Sequence, residues 1–268
     1  MTSCSSARSL PPPSRLPSSA ASSSPGASRA SPPPPTGAPA PTAEAAVHAR
    51  KPAAPYPCHV PTEVLVIRHA ETYGNIEGRF CGHSETDLTP RGIAQARALG
   101  LRLRGQQFDA AASSDLSRAI LTARHALEHH PAPLDPLPDP RLREMHYGEW
   151  EGLPASDIAK TQADLLREFF TGRRHAAPGG ESVQQLRERT AAALRDLVDR
   201  YQGGRLVVVS HGNAIAALLA ELLGMPLERT WAFAVANTSV TRLTFGRSGR
   251  VTLAAFNDTA HLEGVELP

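Results

Sequence analysis

An α/β fold, a three-layer αβα sandwich around a mostly parallel sheet, is what this sequence predicts, and three observations predict it. Two short runs of branched aliphatic residues without polar alternation, 64–67 and 206–209, read as fully buried strands. Segments with helical periodicity separate the strand-like runs, the crossover pattern that covers a parallel sheet on both faces. Two alternating runs near the C-terminal end, 238–245 and 251–256, are joined by a turn at 246–249 and add a hairpin.

In chain order, the first strand stops abruptly at Arg68-His69-Ala70. The C-terminal end of a strand is where an α/β sheet opens its crevice, so the Arg-His pair is expected at a site. Residues 71–87, with Gly74, Gly78 and Gly82, form a polar loop long enough to cover something. Thr89 caps and Pro90 begins a helix that turns Ile93, Ala96, Leu99, Leu101 and Leu103 inward. Residues 108–113 make a second strand, and Ser114 or Asp115 caps the helix after it. That helix buries Leu116, Ala119, Ile120, Ala123 and Leu127, which puts Arg118 in its first turn.

Residues 131–140 are a proline-broken connection, 154–170 are helical and 173–181 form a polar loop. A long helix over 182–201 ends at Gly203-Gly204. The second buried run then passes into Ser210-His211-Gly212-Asn213, followed by an apolar helix over 214–223 closed by Gly224.

Residues 1–60 differ in composition from the rest of the 268-residue chain. They hold 14 of the 25 prolines and 12 serines with few large apolar side chains, and are expected to be disordered. Their charge is Arg8, Arg15, Arg29, Arg50 and Lys51 against Glu44, a net +4, which leaves 23 basic and 25 acidic residues, a net −2, for the remainder. Such a balance speaks against nucleic acid or an anionic membrane as a partner of the folded part. The Arg- and Ser-rich segment is similar to an organellar transit peptide, but its prolines oppose an amphipathic helix. A dispensable tail or an over-long start is preferred to targeting.

No apolar run reaches the ~18 residues of a membrane span. Cys4, Cys58 and Cys81 make neither a disulfide framework nor a CxxC pair, so a reducing, cytoplasmic location is expected. The folded domain is assigned to residues 61–268, and a homodimer is left open.

The chemistry rests on two buried strands that each end in a histidine, Ile67-Arg68-His69 and Val209-Ser210-His211, with Arg118 at a helix start. Two guanidiniums offer forked hydrogen bonds to phosphate oxygens, a helix N-terminus adds free N–H groups, and an imidazole can attack phosphorus or donate to oxygen. Phosphate is the ligand this set suits.

At these residues the chain resembles the histidine phosphatase superfamily, the phosphoglycerate-mutase-like enzymes. The resemblance is carried by Arg68-His69-Ala70-Glu71-Thr72, by Ser113-Ser114-Asp115-Leu116-Ser117-Arg118-Ala119 and by Leu142-Arg143-Glu144 to Trp150-Glu151-Gly152. Ser210-His211-Gly212 and Asn257-Asp258-Thr259-Ala260-His261-Leu262 follow in the family order.

The resemblance implies His69 as nucleophile, Arg68, Asn75, Arg118 and His211 as phosphate-binding residues, and Glu144 as the acid and base. It further implies a metal-independent phosphomonoester hydrolase acting through a phosphohistidine on a small phosphorylated metabolite, with no cofactor. A bisphosphoglycerate-dependent phosphoglycerate mutase and a non-catalytic phosphate-binding member are the alternatives. The compact spacing from Glu144 to His211 and the Glu149-Trp150-Glu151-Gly152 segment favour the phosphatase branch, whereas Arg173-Arg174 only superficially matches a basic pair of the mutases.

Ala70 departs from the usual glycine and is benign unless the backbone there needs positive φ. His125, His129 and His130 have metal-ligand spacing but are expected as a solvated helix end. Cys81 is expected as a plain loop residue rather than a redox-sensitive thiol, and Tyr147 and Trp150 as either pocket or core.

Overall fold

The computed structural model of the protein describes residues 60–265, so the tail and its expected disorder lie outside the described residues up to position 59. Its elements are β1 (Thr62–Arg68), α1 (Tyr73–Ile76), α2 (Pro90–Leu103), β2 (Ala110–Ser113), α3 (Ser117–Leu127), β3 (Leu137–Pro138), α4 (Ala155–Phe170), α5 (Val183–Arg200), β4 (Arg205–Ser210), α6 (Gly212–Leu222), β5 (Val240–Phe245) and β6 (Val251–Asp258). They form a six-stranded sheet in the order β3-β2-β4-β1-β5-β6. The pairs β1·β4, β2·β4 and β2·β3 are parallel, and β1·β5 and β5·β6 antiparallel.

Strand alternation divides the core between two faces. Val64, Val66, Leu206 and Val208 pack against Ala191, Leu194 and Val198 of α5 and Ile215, Leu218 and Leu219 of α6. Leu65, Ile67, Val207 and Val209 point the other way, to Leu99 and Leu103 of α2 and Ala119, Ala123 and Leu127 of α3. Each such fully buried aliphatic side chain contributes about 1.5–3 kcal/mol of transfer free energy, which explains why both runs are apolar at every position. A further cluster, with Met145, Tyr147, Trp150 and Phe169, roofs the crevice.

Several local expectations change. Leu101 is exposed rather than inward, because it falls about 200° around the helix from Leu99. Ser114 and Asp115 do not cap α3; its N-cap is Leu116, which has no side-chain cap, and Glu85 from the covering loop accepts from Ser117 N instead. The loop at 71–87 contains the one-turn helix α1, closed by a capping box between Thr72 and Asn75. The connection at 131–140 carries the two-residue edge strand β3.

β5 begins at Val240 rather than residue 238, since Thr238 has φ of 54°, outside strand geometry. His130 is not merely solvated: its Nε2 accepts from Phe108 N at 3.0 Å and its ring stacks on Phe108. Among the described residues, no helix is long and apolar enough to cross a membrane.

Candidate active site

Register places the two histidines together. In the parallel pair β1·β4, Arg68 lies opposite Ser210, so the next residues, His69 and His211, emerge side by side. Their ring centroids are 5.0 Å apart. β2 lies on the other side of β4 with Ser113 opposite Val209, which starts α3 at the same edge and brings Arg118 in from the flank.

Hydrogen bonds assign the tautomers of both rings. His69 Nδ1 lies 2.7 Å from Ala70 O, and a carbonyl can only accept, so Nδ1 carries the proton and Nε2 the lone pair. Arg118 Nε donates to His211 Nδ1 at 3.2 Å, so the His211 proton sits on Nε2. That Nε2 is buried and meets no protein acceptor. Burial, reinforced by the neighbouring arginines, pushes both imidazoles well below the ordinary histidine range and holds them neutral.

The guanidiniums are fixed by carbonyls. Arg118, 2% exposed, donates Nη1 to Ser84 O at 2.9 Å and Nη2 to Gly82 O at 2.7 Å. Gly82 reaches that position with φ of 45°, a conformation that favours glycine. Arg68 donates Nη1 to Val235 O at 2.6 Å, while its buried Nε has no protein partner. Two orphaned N–H groups, Arg68 Nε and His211 Nε2, therefore belong to the cluster around the free His69 lone pair, a donor set suited to an oxyanion.

Glu144, in the segment between β3 and α4, is held against the start of α6. Its Oε2 accepts from Asn213 N at 3.1 Å, and its Oε1 accepts from Ala214 N at 3.1 Å and Met145 N at 2.8 Å. The helix N-terminus thus anchors a carboxylate that also lines the cavity. Arg189 holds the backbone beneath it, donating to the carbonyls of Arg141, Arg143 and Glu144 at 2.7–2.8 Å. Asn75 Oδ1 accepts from Thr72 N and Asn237 Nδ2, leaving its amide nitrogen as the group it can offer a ligand.

All six residues singled out from the sequence, Arg68, His69, Asn75, Arg118, Glu144 and His211, meet in one region. All but His211 line one cavity of about 460 Å³, and His211 reaches it through His69 and Arg118. Tyr147 lines the same cavity, accepts from Asn213 Nδ2 at 2.5 Å, and has its phenol pushed well above the ordinary range by burial and by Glu144. Trp150 is core, with Nε1 donating to Gln162 Oε1 at 2.7 Å. Cys81 lines the cavity too, but burial raises its thiol despite Arg118 and Arg79, which makes it a poor thiolate. Ala70 does not adopt positive φ; its N donates to Thr122 Oγ1 at 3.0 Å and its methyl packs with Leu88 and Ala96.

Sequence reasoning missed Asn237 and Thr122. Asn237 Nδ2 donates to His69 O at 2.9 Å. Asn237 sits in a loop with no motif. Thr122 follows Arg118 by one helical turn, a periodic signal that could have pointed to it.

Chemically, the cluster can bind a phosphoryl group against a neutral imidazole lone pair with a carboxyl group in the same cavity. Against known proteins, the histidine phosphatase superfamily (branch 1) matches residues 64–259. An adenosylcobalamin/alpha-ribazole phosphatase of Escherichia coli (strain K12) is 37% identical over 171 residues, covering 63% of this chain and 83% of its own. A protein of Yersinia pestis (strain Pestoides F) named "Probable phosphoglycerate mutase GpmB" is 32% identical over 206 residues, 75% of this chain and 95% of its own. The solved structure of Bacillus stearothermophilus YhfR superposes with a TM-score of 0.71 at 30% identity, covering 75% of this chain and 100% of that one.

Proposed function

The chain belongs to the histidine phosphatase superfamily, and from that premise we propose that it hydrolyses small phosphomonoesters through a phosphohistidine on His69, without a metal. The observation that carries the proposal is the pair of orphaned donors, Arg68 Nε and His211 Nε2, in the cluster around the lone pair of His69 Nε2.

In the first step His69 Nε2 attacks phosphorus as the bond to the leaving oxygen breaks, and the Glu144 carboxyl gives that oxygen its proton. Ala70 O keeps the Nδ1 proton and disperses the charge that develops on the ring. Arg68, Arg118, Asn75 and the His211 Nε2–H hold the equatorial oxygens, supplying charge neutralisation that a metal provides elsewhere. In the second step Glu144 takes a proton from water, the water oxygen bonds phosphorus, and the P–N bond returns its electron pair to His69.

Hydrolysis is favoured over transfer between two phosphorylated positions by the rest of the cavity lining. Beyond the phosphate cluster its cation among the described residues is Arg79, already engaged by Glu77 and Gly152 O. The catalytic unit of this proposal is residues 61–268. A cytoplasmic location accompanies it as part of the same proposal. A homodimer is tested separately by light scattering, as a doubled mass.

The experiment is phosphate release from a panel of phosphomonoesters in the presence of chelator, alongside interconversion of 2- and 3-phosphoglycerate with added bisphosphoglycerate. Chelator-insensitive release without interconversion is the expected result. Robust interconversion overturns it in favour of a mutase, and silence in both assays favours a binding protein.

A further inference from the structure

The cavity that holds the phosphate cluster is too large for a phosphate alone, and part of its lining has a different chemistry. At about 460 Å³ it falls within the usual range of small-molecule pockets, ~300–1,000 Å³. The apolar part of its lining is Phe80, Ala155, Phe170, Phe233, Ala234 and Val235.

Three phenyl rings are held there by other rings. Phe80 packs edge-on against Tyr147 at 4.8 Å and lies 6.1 Å from Phe170. Phe233 is backed by Phe256, edge-on at 5.4 Å. Phe170 is 61% exposed although it stands at the end of α4 directly after Phe169, which is buried. An isolated exposed phenyl means little. This one borders the mouth of a cavity whose floor binds an oxyanion, beside a second ring, which is how an apolar ligand group is received.

Charge in the lining points the same way. A carboxylate or second phosphate on the substrate needs a free cation, and Arg79 is the further cation in the lining among the described residues. Its Nε is paired with Glu77 and its Nη1 donates to Gly152 O at 2.8 Å. Glu77 therefore already balances the Arg79 charge, and a second anion there would compete with that carboxylate.

We infer that the preferred substrate is a phosphomonoester whose leaving alcohol carries a flat apolar group, an aryl or aryl-like body, and no second anion. The phosphoryl group sits on the His69 cluster, and the aryl body lies among Phe80, Phe170 and Phe233. This rests on the hydrolase proposed above.

The test compares kcat/KM of the full chain for 2-phenylethyl phosphate, O-phosphoserine and 3-phosphoglycerate. All three release an alkyl alcohol, so the comparison reads the pocket rather than leaving-group acidity. The same measurements are made on Phe170→Ala and Phe233→Ala. The aryl ester is expected to lead both acids by about tenfold or more, and each variant to shrink its lead over phosphoserine about tenfold through KM, the scale of a lost ring contact. An equal or better kcat/KM for either acid overturns the inference while leaving hydrolysis intact, as does an unchanged ratio in both variants. No turnover of any of the three overturns the hydrolase proposal itself.

Discussion

Arg118 Nε donates to His211 Nδ1 across 3.2 Å, and that one bond decides which nitrogen of His211 keeps its proton. Because a guanidinium never accepts, the proton of the ring is forced onto Nε2, which is buried without a protein acceptor beside His69. Arg118 thus acts on a ligand twice, through its own remaining N–H groups and through the tautomer of its neighbour.

Arg118→Lys is therefore expected to lose more than a charge-conserving change suggests. An ammonium cannot reach Ser84 O, Gly82 O and His211 Nδ1 together. A fall in kcat of about 10²–10³, the cost of a lost oxyanion donor, is expected from steady-state kinetics. Activity within threefold of the native chain contradicts the tautomer argument.

Glu144→Gln separates the acid from the rest of the site. Proton donation matters when the leaving alcohol is a poor leaving group and little when it is p-nitrophenol. The variant is expected to lose about 10²–10⁴ in kcat on alkyl phosphates, with a much smaller loss on p-nitrophenyl phosphate. Equal losses on both would remove Glu144 from the proton path.

The pH dependence follows from the buried imidazoles of His69 and His211, which burial pushes well below the ordinary value. In the unfolded chain each takes up a proton as pH falls through about 6.5, whereas in the folded chain each stays neutral to a lower pH. Between those points the unfolded state binds more protons, so stability contributed by these groups is present above about 6.5 and is lost as pH falls toward the folded value. His261, lowered to about 4 by burial and Arg102, adds to the same trend. Melting temperature is expected to drop from pH 7 to pH 5, and to drop less in His211→Asn. By NMR, neither His69 nor His211 should titrate near pH 6.5; an inflection there contradicts the neutral assignment.

Ala70 gives a stability prediction. Its backbone is outside the positive-φ region and its methyl is fully buried against Leu88 and Ala96. Ala70→Gly is expected to cost roughly 0.5–1 kcal/mol in urea unfolding and to gain no activity. A stabilised or faster variant would mean that the methyl strains the site.

How far the sequence anticipated all this depends on how local each signal is. The two apolar runs ending in histidine were legible because burial on both faces forces unbroken hydrophobicity, and the sheet register then brings His69 beside His211. Arg118 and Glu144 were legible through their motifs. Arg189 was not: on α5 it looks like any surface arginine, and its grip on the carbonyls of Arg141, Arg143 and Glu144 exists only once the chain has folded.

Asn237 was hidden for the same reason, being a loop residue whose bond to His69 O depends on the turn at Thr238. The closing segment at 257–262 was recognised as a motif without a mechanism. Its Asn257 Oδ1 accepts from Ala236 N at 2.7 Å, and His261 Nε2 meets Thr238 Oγ1 at 3.2 Å, so it braces the loop that carries the Arg68 and His69 contacts.

The central claim is that phosphorus becomes bonded to His69. It is tested most directly by mixing the full chain with a radiolabelled phosphomonoester, quenching in alkali within milliseconds, and mapping the label by peptide mass spectrometry. A near-stoichiometric phosphoryl group on His69, absent from His69→Ala, is the predicted result. Label on another residue, or undiminished turnover by His69→Ala, would contradict it.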